Sequence, residues 1–174
     1  VVSNVSTEEE SYAILTAKAY DEKSSDDYEY GITMLFDGVE KDYFASSDAK
    51  DVATAASLDA KVYYEVKFDA NGAVDKLTAS ATVPMLTVEG LICDGTYKTT
   101  VKTVTNGYIL TVNEAASAPV ADDAIIVKWD KDDEKWVKAS ASAMAAKAGK
   151  IEIYAKDTDT TPDGEYDIVF IVEL

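Results

Sequence analysis

Histidine, arginine and glutamine are all missing from this chain of 174 residues. Without histidine it lacks the commonest general base and metal ligand near neutral pH, and without arginine the usual clamp for phosphate and carboxylate substrates. Serine and cysteine nucleophiles therefore have no histidine partner, and no glycine-rich phosphate loop occurs. Nothing singles out two of the many carboxylates as a glycosidase pair. A non-enzymatic protein is expected. The only cysteine, Cys93, excludes an intrachain disulfide. Its place after Leu91 and Ile92 and before Asp94-Gly95 suits a buried inert thiol, with an interchain bridge as the alternative. No apolar run approaches the roughly 20 residues that span a bilayer, so membrane insertion is not expected.

What is present is acid. Thirty-three carboxylates oppose 16 lysines, a formal charge of −17, with a pI near 4.2. Such a surface repels nucleic acid and anionic membranes, and the lysines are scattered singly without a basic stripe. It favours solubility, attraction of divalent cations, or operation at high ionic strength. With 47% hydrophobic and 10% aromatic residues the chain has ample material for a packed core, in one domain or two small ones. Its start at Val1 fits removal of a secretory signal peptide and equally an excerpted domain. Asn4-Val5-Ser6 matches the N-glycosylation tripeptide, a pattern that also arises by chance.

Period-2 segments separated by Gly, Asp, Asn and Ser clusters predict strands nearly throughout. They fall at 12–20, 28–36, 39–45, 61–68 and 73–83. The turn Asp37-Gly38 is a strong hairpin signal, and Asp69 to Gly72 closes a second hairpin. The alanine-rich stretch 46–58, with Ser and Asp near Asp48 and Asp51, predicts a short N-capped helix. In the second half, strands are expected at 99–105, 108–113, 124–129, 135–139, 150–156 and 165–173. A loop carrying Pro119 is expected at 115–123, and another alanine-rich segment at 140–148.

The halves correspond in order. Phe36 and Trp129, then Tyr43 and Trp136, fall at the same offset around acidic turns. Both halves then pass through alanines into a lysine-led strand, Lys61-Val62-Tyr63-Tyr64 and Lys150-Ile151-Glu152-Ile153. This predicts an internal duplication. The expected fold is all-β with one or two short helices, as two duplicated small β-barrel or sandwich modules at 12–84 and 85–174, preceded by an arm at 1–11.

The Phe36-Asp37-Gly38 turn, the polar or helical insert, the Lys61-Val62-Tyr63-Tyr64-Glu65-Val66 strand, the Asp69-Ala70-Asn71-Gly72 hairpin and the closing run Tyr166 to Ile171 together resemble the repeated β regions of clostridial-type surface proteins that carry S-layer homology domains. The resemblance covers nearly the whole chain and rests on turn chemistry and strand patterning. The S-layer homology anchoring segments are not part of the resemblance. It implies a secreted, wall-associated, non-catalytic role in an extracellular lattice.

Three candidate sites emerge. Asp157, Asp159, Asp163 and Asp167 surround a turn in which an Asp-x-Asp spacing and an Asp-Gly could wrap oxygens around calcium, the one cofactor suggested. Thr161 stands where a helix-loop-helix calcium loop would place its third acid. A solvated hairpin turn is the competing reading, because the same residues build turns. The cluster Asp130, Asp132, Asp133 and Glu134, flanked by lysines 128, 131 and 135, is read as a charged exposed turn, as are Asp21, Glu22, Asp26 and Asp27. The 11 tyrosines could stack on sugars, but covering the core edge is the preferred reading, since Tyr63 and Tyr64 must point to opposite faces. Finally, Val1, Val2 and Val5 mark a β-prone arm that could add as a strand to a neighbour, and a head-to-tail contact of that kind builds an open filament. A frayed terminus or ordinary edge strand is the alternative. The expected function is an extracellular structural protein that polymerises with its own copies. A surface module for cell-wall polysaccharide is the runner-up.

Overall fold

A computed structural model describes residues 12–21, 29–84, 87–88, 91–92, 103–105, 108–110, 117–140, 151–158 and 165–173. The described chain is mostly strand with one short helix, an all-β fold. It divides into two compact units, Val1–Thr82 and Val83–Leu174.

The first unit contains β1 (Tyr12–Leu15), β2 (Tyr20–Asp21), β3 (Tyr30–Phe36), β4 (Val39–Ala45), helix α1 (Ser47–Ala55), β5 (Tyr64–Phe68) and β6 (Val74–Ala79). The sheet runs β1-β5-β6-β4-β3-β2, and β1 also pairs with β3, so five strands close into a ring with β2 appended. Every pairing is antiparallel except β4 with β6, which meet in parallel at Ala45 and Val74. The helix lies between the third and fourth ring strands, an order that resembles that of barrels of the OB type.

Local chemistry explains the pieces. Asp37 and Gly38 adopt φ of 53° and 79° between the paired Phe36 and Val39, the two-residue turn whose twist matches the strands. At the second hairpin, Asp69 Oδ1 accepts the N–H groups of Asn71 (2.8 Å) and Ala73 (3.0 Å), and Gly72 supplies φ of 83°. The helix starts at Ser46, whose Oγ accepts the Ala49 N–H at 3.1 Å and donates to the Asp75 carbonyl at 2.6 Å. Asp48 lies in the first turn, where the helix dipole favours an acid. No base lies in the last turn of α1. Lys18, between β1 and β2, supplies it by donating to the carbonyls of Thr54 and Ala56. Ala49 and Ala53, both buried, present small side chains to a core of Ala13, Leu15, Ile32, Met34, Tyr64, Val66, Val74 and Leu77.

The expected strand 12–20 is interrupted at residues 16–19. There the Thr16 N–H donates to Thr33 O, and Lys18 turns away to the helix end. Beside it, the β1–β3 pair is buried on both faces: Ala13, Leu15, Ile32 and Met34 face the core, while Ile14 and its register partner Leu35 are buried on the opposite side.

The second unit contains β7 (Thr87–Val88) and β8 (Leu91–Ile92), which form their own antiparallel pair, then β9 (Thr103–Thr105), β10 (Tyr108–Leu110), β11 (Ser117–Asp130), β12 (Lys135–Lys138), β13 (Ile151–Lys156) and β14 (Tyr166–Glu173). The larger sheet runs β13-β14-β11-β10-β9, with β12 on β11, and β14 lies parallel to β11. Ile168 to Ile171 are buried at every position, as expected of a central strand covered on both faces. Trp136 packs edge-on against Trp129 (5.2 Å between centroids) and Phe170 (4.9 Å).

The expected loop at 115–123 is corrected: Ser117–Asp130 is one strand of 14 residues. Pro119 is held opposite Tyr108, and the register with β14 shifts between Val120 and Ile125. Pro119 lies just outside the β14 ladder, whose pairs begin at Val120, a position where a missing N–H is tolerated. The correspondence between halves does not extend to hairpin register or sheet assembly: Phe36 pairs with Val39 and Tyr43 with Ile32, whereas Trp129 pairs directly with Trp136. The strand parallel to the last one is the second hairpin arm, β4, in the first unit, and the first arm, β11, in the second. The alanine-rich segment 140–148, apart from Ser140, lies outside the described residues, as does Cys93.

Candidate functional site

The acidic turn is described at its two ends. Asp157 follows β13 and Asp167 lies on β14. Asp167 Oδ2 accepts the Thr158 N–H at 2.8 Å and the Thr158 hydroxyl at 3.3 Å. Burial raises the Asp167 carboxyl above the ordinary aspartate range. A hydrogen bond and the negative charge of Asp157 act in the same direction, while the two Thr158 bonds oppose it. Tyr166 is raised too, by burial and then by the Asp157 charge. Two of the four predicted calcium ligands thus come together, and Asp159 and Asp163 lie outside the described residues. Among the described residues no group of three or more metal-capable side chains occurs. Asp167 works as a turn staple, tying Thr158 to β14.

The turn after β11 is built similarly. Asp130 Oδ1 accepts the N–H groups of Asp132 (2.9 Å) and Asp133 (3.2 Å), and Glu134 adopts φ of 52°. Lys128, expected to neutralise this cluster, instead pairs with Glu173 at 3.2 Å. The pair forms because β11 and β14 run side by side, a neighbour relation that sequence proximity does not reveal.

Tyrosines divide as their strand positions dictate. Tyr64 joins the core, and Tyr63, 8% exposed, packs on Tyr12 with centroids 4.9 Å apart. Tyr154 donates to Glu152 Oε2 at 2.7 Å, and its hydroxyl is pushed up to about 12 by burial and then by that hydrogen bond and the Glu152 charge. Tyr43 is different. It lies on the core-facing side of β4, near Phe68 (5.6 Å), which in turn meets Phe36 (5.3 Å) edge-on. Lys41 reaches over the Tyr43 ring at 5.5 Å.

These rings lie beside the least covered strand of the first unit. Val39, Glu40, Lys41, Asp42 and Phe44 of β4 are all exposed, and Val39 (59%), Phe44 (39%) and Phe68 (36%) are the exposed large apolar side chains among the described residues. β4 pairs with β3 along its whole length, and on its other side with β6 at Ala45. Sequence alternation marks a strand's faces and says nothing of how far each edge is paired. The arm with Val1, Val2 and Val5 lies outside the described residues.

No family model, no curated protein and no solved structure matches the chain.

Proposed function

We propose that this chain is an extracellular structural subunit that joins copies of itself through β-strand contacts, as a filament subunit or a component of a surface layer. The observation that carries the reading is β4, a seven-residue strand whose pairing with a second strand is, among the described residues, at Ala45 alone, and whose apolar Val39 is 59% exposed. Open edges are templates for pairing with another chain. The resemblance to S-layer-type β regions supports the same reading, with the arm at Val1, Val2 and Val5 as donor strand and calcium as a bridge between acidic turns. The test is negative-stain electron microscopy of the purified chain with calcium and with chelator. Ordered filaments or sheets are expected. If calcium joins acidic turns, chelation lowers the melting temperature of the wild type and not of Asp167→Asn.

A polysaccharide-binding module is the second reading, favoured by the partly exposed rings of Phe36, Tyr43 and Phe68. Barrels of the OB type carry oligosaccharide and oligonucleotide sites, although fold alone implies no function, and the charge of −17 argues against the second ligand. Dispersed monomers under both conditions, with glycan binding lost in Phe68→Ala, would replace the structural reading with this one.

A further inference from the structure

Among the described strand pairs, like charges stand directly opposite each other at one place. Asp130 faces Lys135, and the other charged residues face uncharged partners, except that Lys67 of β5 faces Lys76 of β6. Both lysines are exposed on the outer face of the hairpin, because the adjacent Val66 and Leu77 point into the core. Neither forms an ion pair among the described residues, although Glu65 lies on the same face. Like charges directly opposed destabilise a sheet. In a chain of 33 carboxylates and 16 lysines, one acid at either position would turn that repulsion into attraction. The hairpin instead presents two ammonium groups side by side on an acidic protein, the arrangement that a pair of carboxylates on another surface complements.

We infer that Lys67 and Lys76 receive Asp132 and Asp133 of a second copy. This rests on the structural reading above, because copies that each carry −17 repel unless their contact sets lysines against carboxylates. The turn between β11 and β12 is built for such a contact. Residues 131–134 are exposed, and Asp130 Oδ1 accepts the N–H groups of both Asp132 and Asp133, so the two neighbouring carboxylates project from a fixed backbone. Neither forms an ion pair among the described residues, and Lys128, which could offset them across the hairpin, is engaged by Glu173. Opposed residues of a sheet have Cβ atoms about 5 Å apart, a spacing from which two long lysine stems reach two adjacent carboxylates. The lysine pair belongs to the first unit and the acidic turn to the second. The contact is therefore heterologous and propagates head to tail.

The experiment reverses each side of the contact in the full chain. One variant carries Lys67→Glu with Lys76→Glu, the other Asp132→Lys with Asp133→Lys, all at exposed positions. Alone, each variant sets like charge against like charge and is expected to stay monomeric by light scattering at concentrations where the wild type polymerises. In an equimolar mixture the altered surface of each variant meets its complement on the other, and polymer is expected to return. If a reversal lowers the melting temperature, the neutral changes Lys76→Thr and Asp133→Asn take its place. Lys76→Thr is expected to weaken polymerisation while raising the melting temperature, because the opposed charges are gone. Polymer from either reversed variant alone, or a mixture of folded variants that stays monomeric, would overturn the inference and leave the structural reading standing. A monomeric wild type overturns the structural reading and this contact with it. If that monomer binds polygalacturonate and the Lys67→Glu, Lys76→Glu variant does not, the lysine pair serves an anionic polysaccharide instead.

Discussion

In the first unit the last strand, β6, docks beside the second arm of the preceding hairpin; in the second unit the last strand, β14, docks beside the first arm. The hairpins differ as well, a two-residue turn joining β3 to β4 and a four-residue turn joining β11 to β12, and so does the arm beside which the last strand docks. β3 is flanked by β1 from Ala13 to Leu15 and by β4 along its length, which leaves β4 alone to receive β6. In β11 the upstream strand β10 pairs only at residues 117–119, before the register shift, so the edge at Ile125 to Lys128 stays open and β14 takes it. In the first unit five strands close a ring; in the second, β14 lies between β13 and β11 and is buried on both faces. Turn chemistry writes the hairpin, and competition for edges assembles the sheet.

Core truncation probes this contrast most strongly. Trp136→Ala should cost about 3–5 kcal/mol, and Met34→Ala in the ring about 2–5 kcal/mol, as measured by urea unfolding. Both tryptophans lie in the second unit, so the fluorescence of the remaining Trp129 reports that unit. The Trp136 indole N–H has no acceptor among the described residues, so Trp136→Phe should cost less than its lost volume suggests. Equal costs for Trp136→Ala and Trp136→Phe would contradict the packing described.

Gly31→Ala tests how β2 is seated. A Cβ at Gly31 would stand 2.5 Å from the Tyr20 ring, so the ring must move. The expected loss is about 1–3 kcal/mol. Part of it should return when Tyr20→Ala is added, and a neutral Gly31→Ala would show that the ring does not rest there.

Ser46→Ala should cost about 0.5–2 kcal/mol, since Ser46 caps α1 and also bonds to β6. Ser46→Asp keeps the cap but loses the hydroxyl donor to Asp75 O. Recovery by this second variant separates capping from the tie to β6.

The smallest effects are those of pH, and they fall in the second unit. Tyr154 is raised from 10.0 to about 12, so its contribution is complete below pH 10 and is lost as pH rises toward 12. Tyr154→Phe should flatten that alkaline decline in the urea midpoint. Asp167 is also raised, from 3.8, so its favourable contribution is present below that pH and lost as pH rises through its folded value. A small gain at neutral pH is therefore expected for Asp167→Asn without calcium, whereas a loss would point to a role for its negative charge.

Much of the strand pattern was legible. Asp37-Gly38 and Asp69 to Gly72 announced their turns, and the helix predicted within 46–58 occurs at Ser47–Ala55. These features depend on residues within a few positions of one another. Illegible were the strand through Pro119, the burial of Ile14 and Leu35 on the face away from the core, and the parallel pairing of β4 with β6. Each depends on a neighbour distant in sequence. Of the candidate sites, the Asp157 and Asp167 neighbourhood is described in part, as a turn held by Thr158.

By itself the sequence determined the all-β class, the hairpin turns and the acidic charge, because φ preferences, side-chain alternation and ionisation are properties of single residues and near neighbours. Only the tertiary structure decided that five strands close in the first unit, that Lys128 meets Glu173, and that β14 lies parallel to β11. Those outcomes depend on which backbone edge is already hydrogen-bonded when the next strand arrives, a competition between segments far apart in the chain.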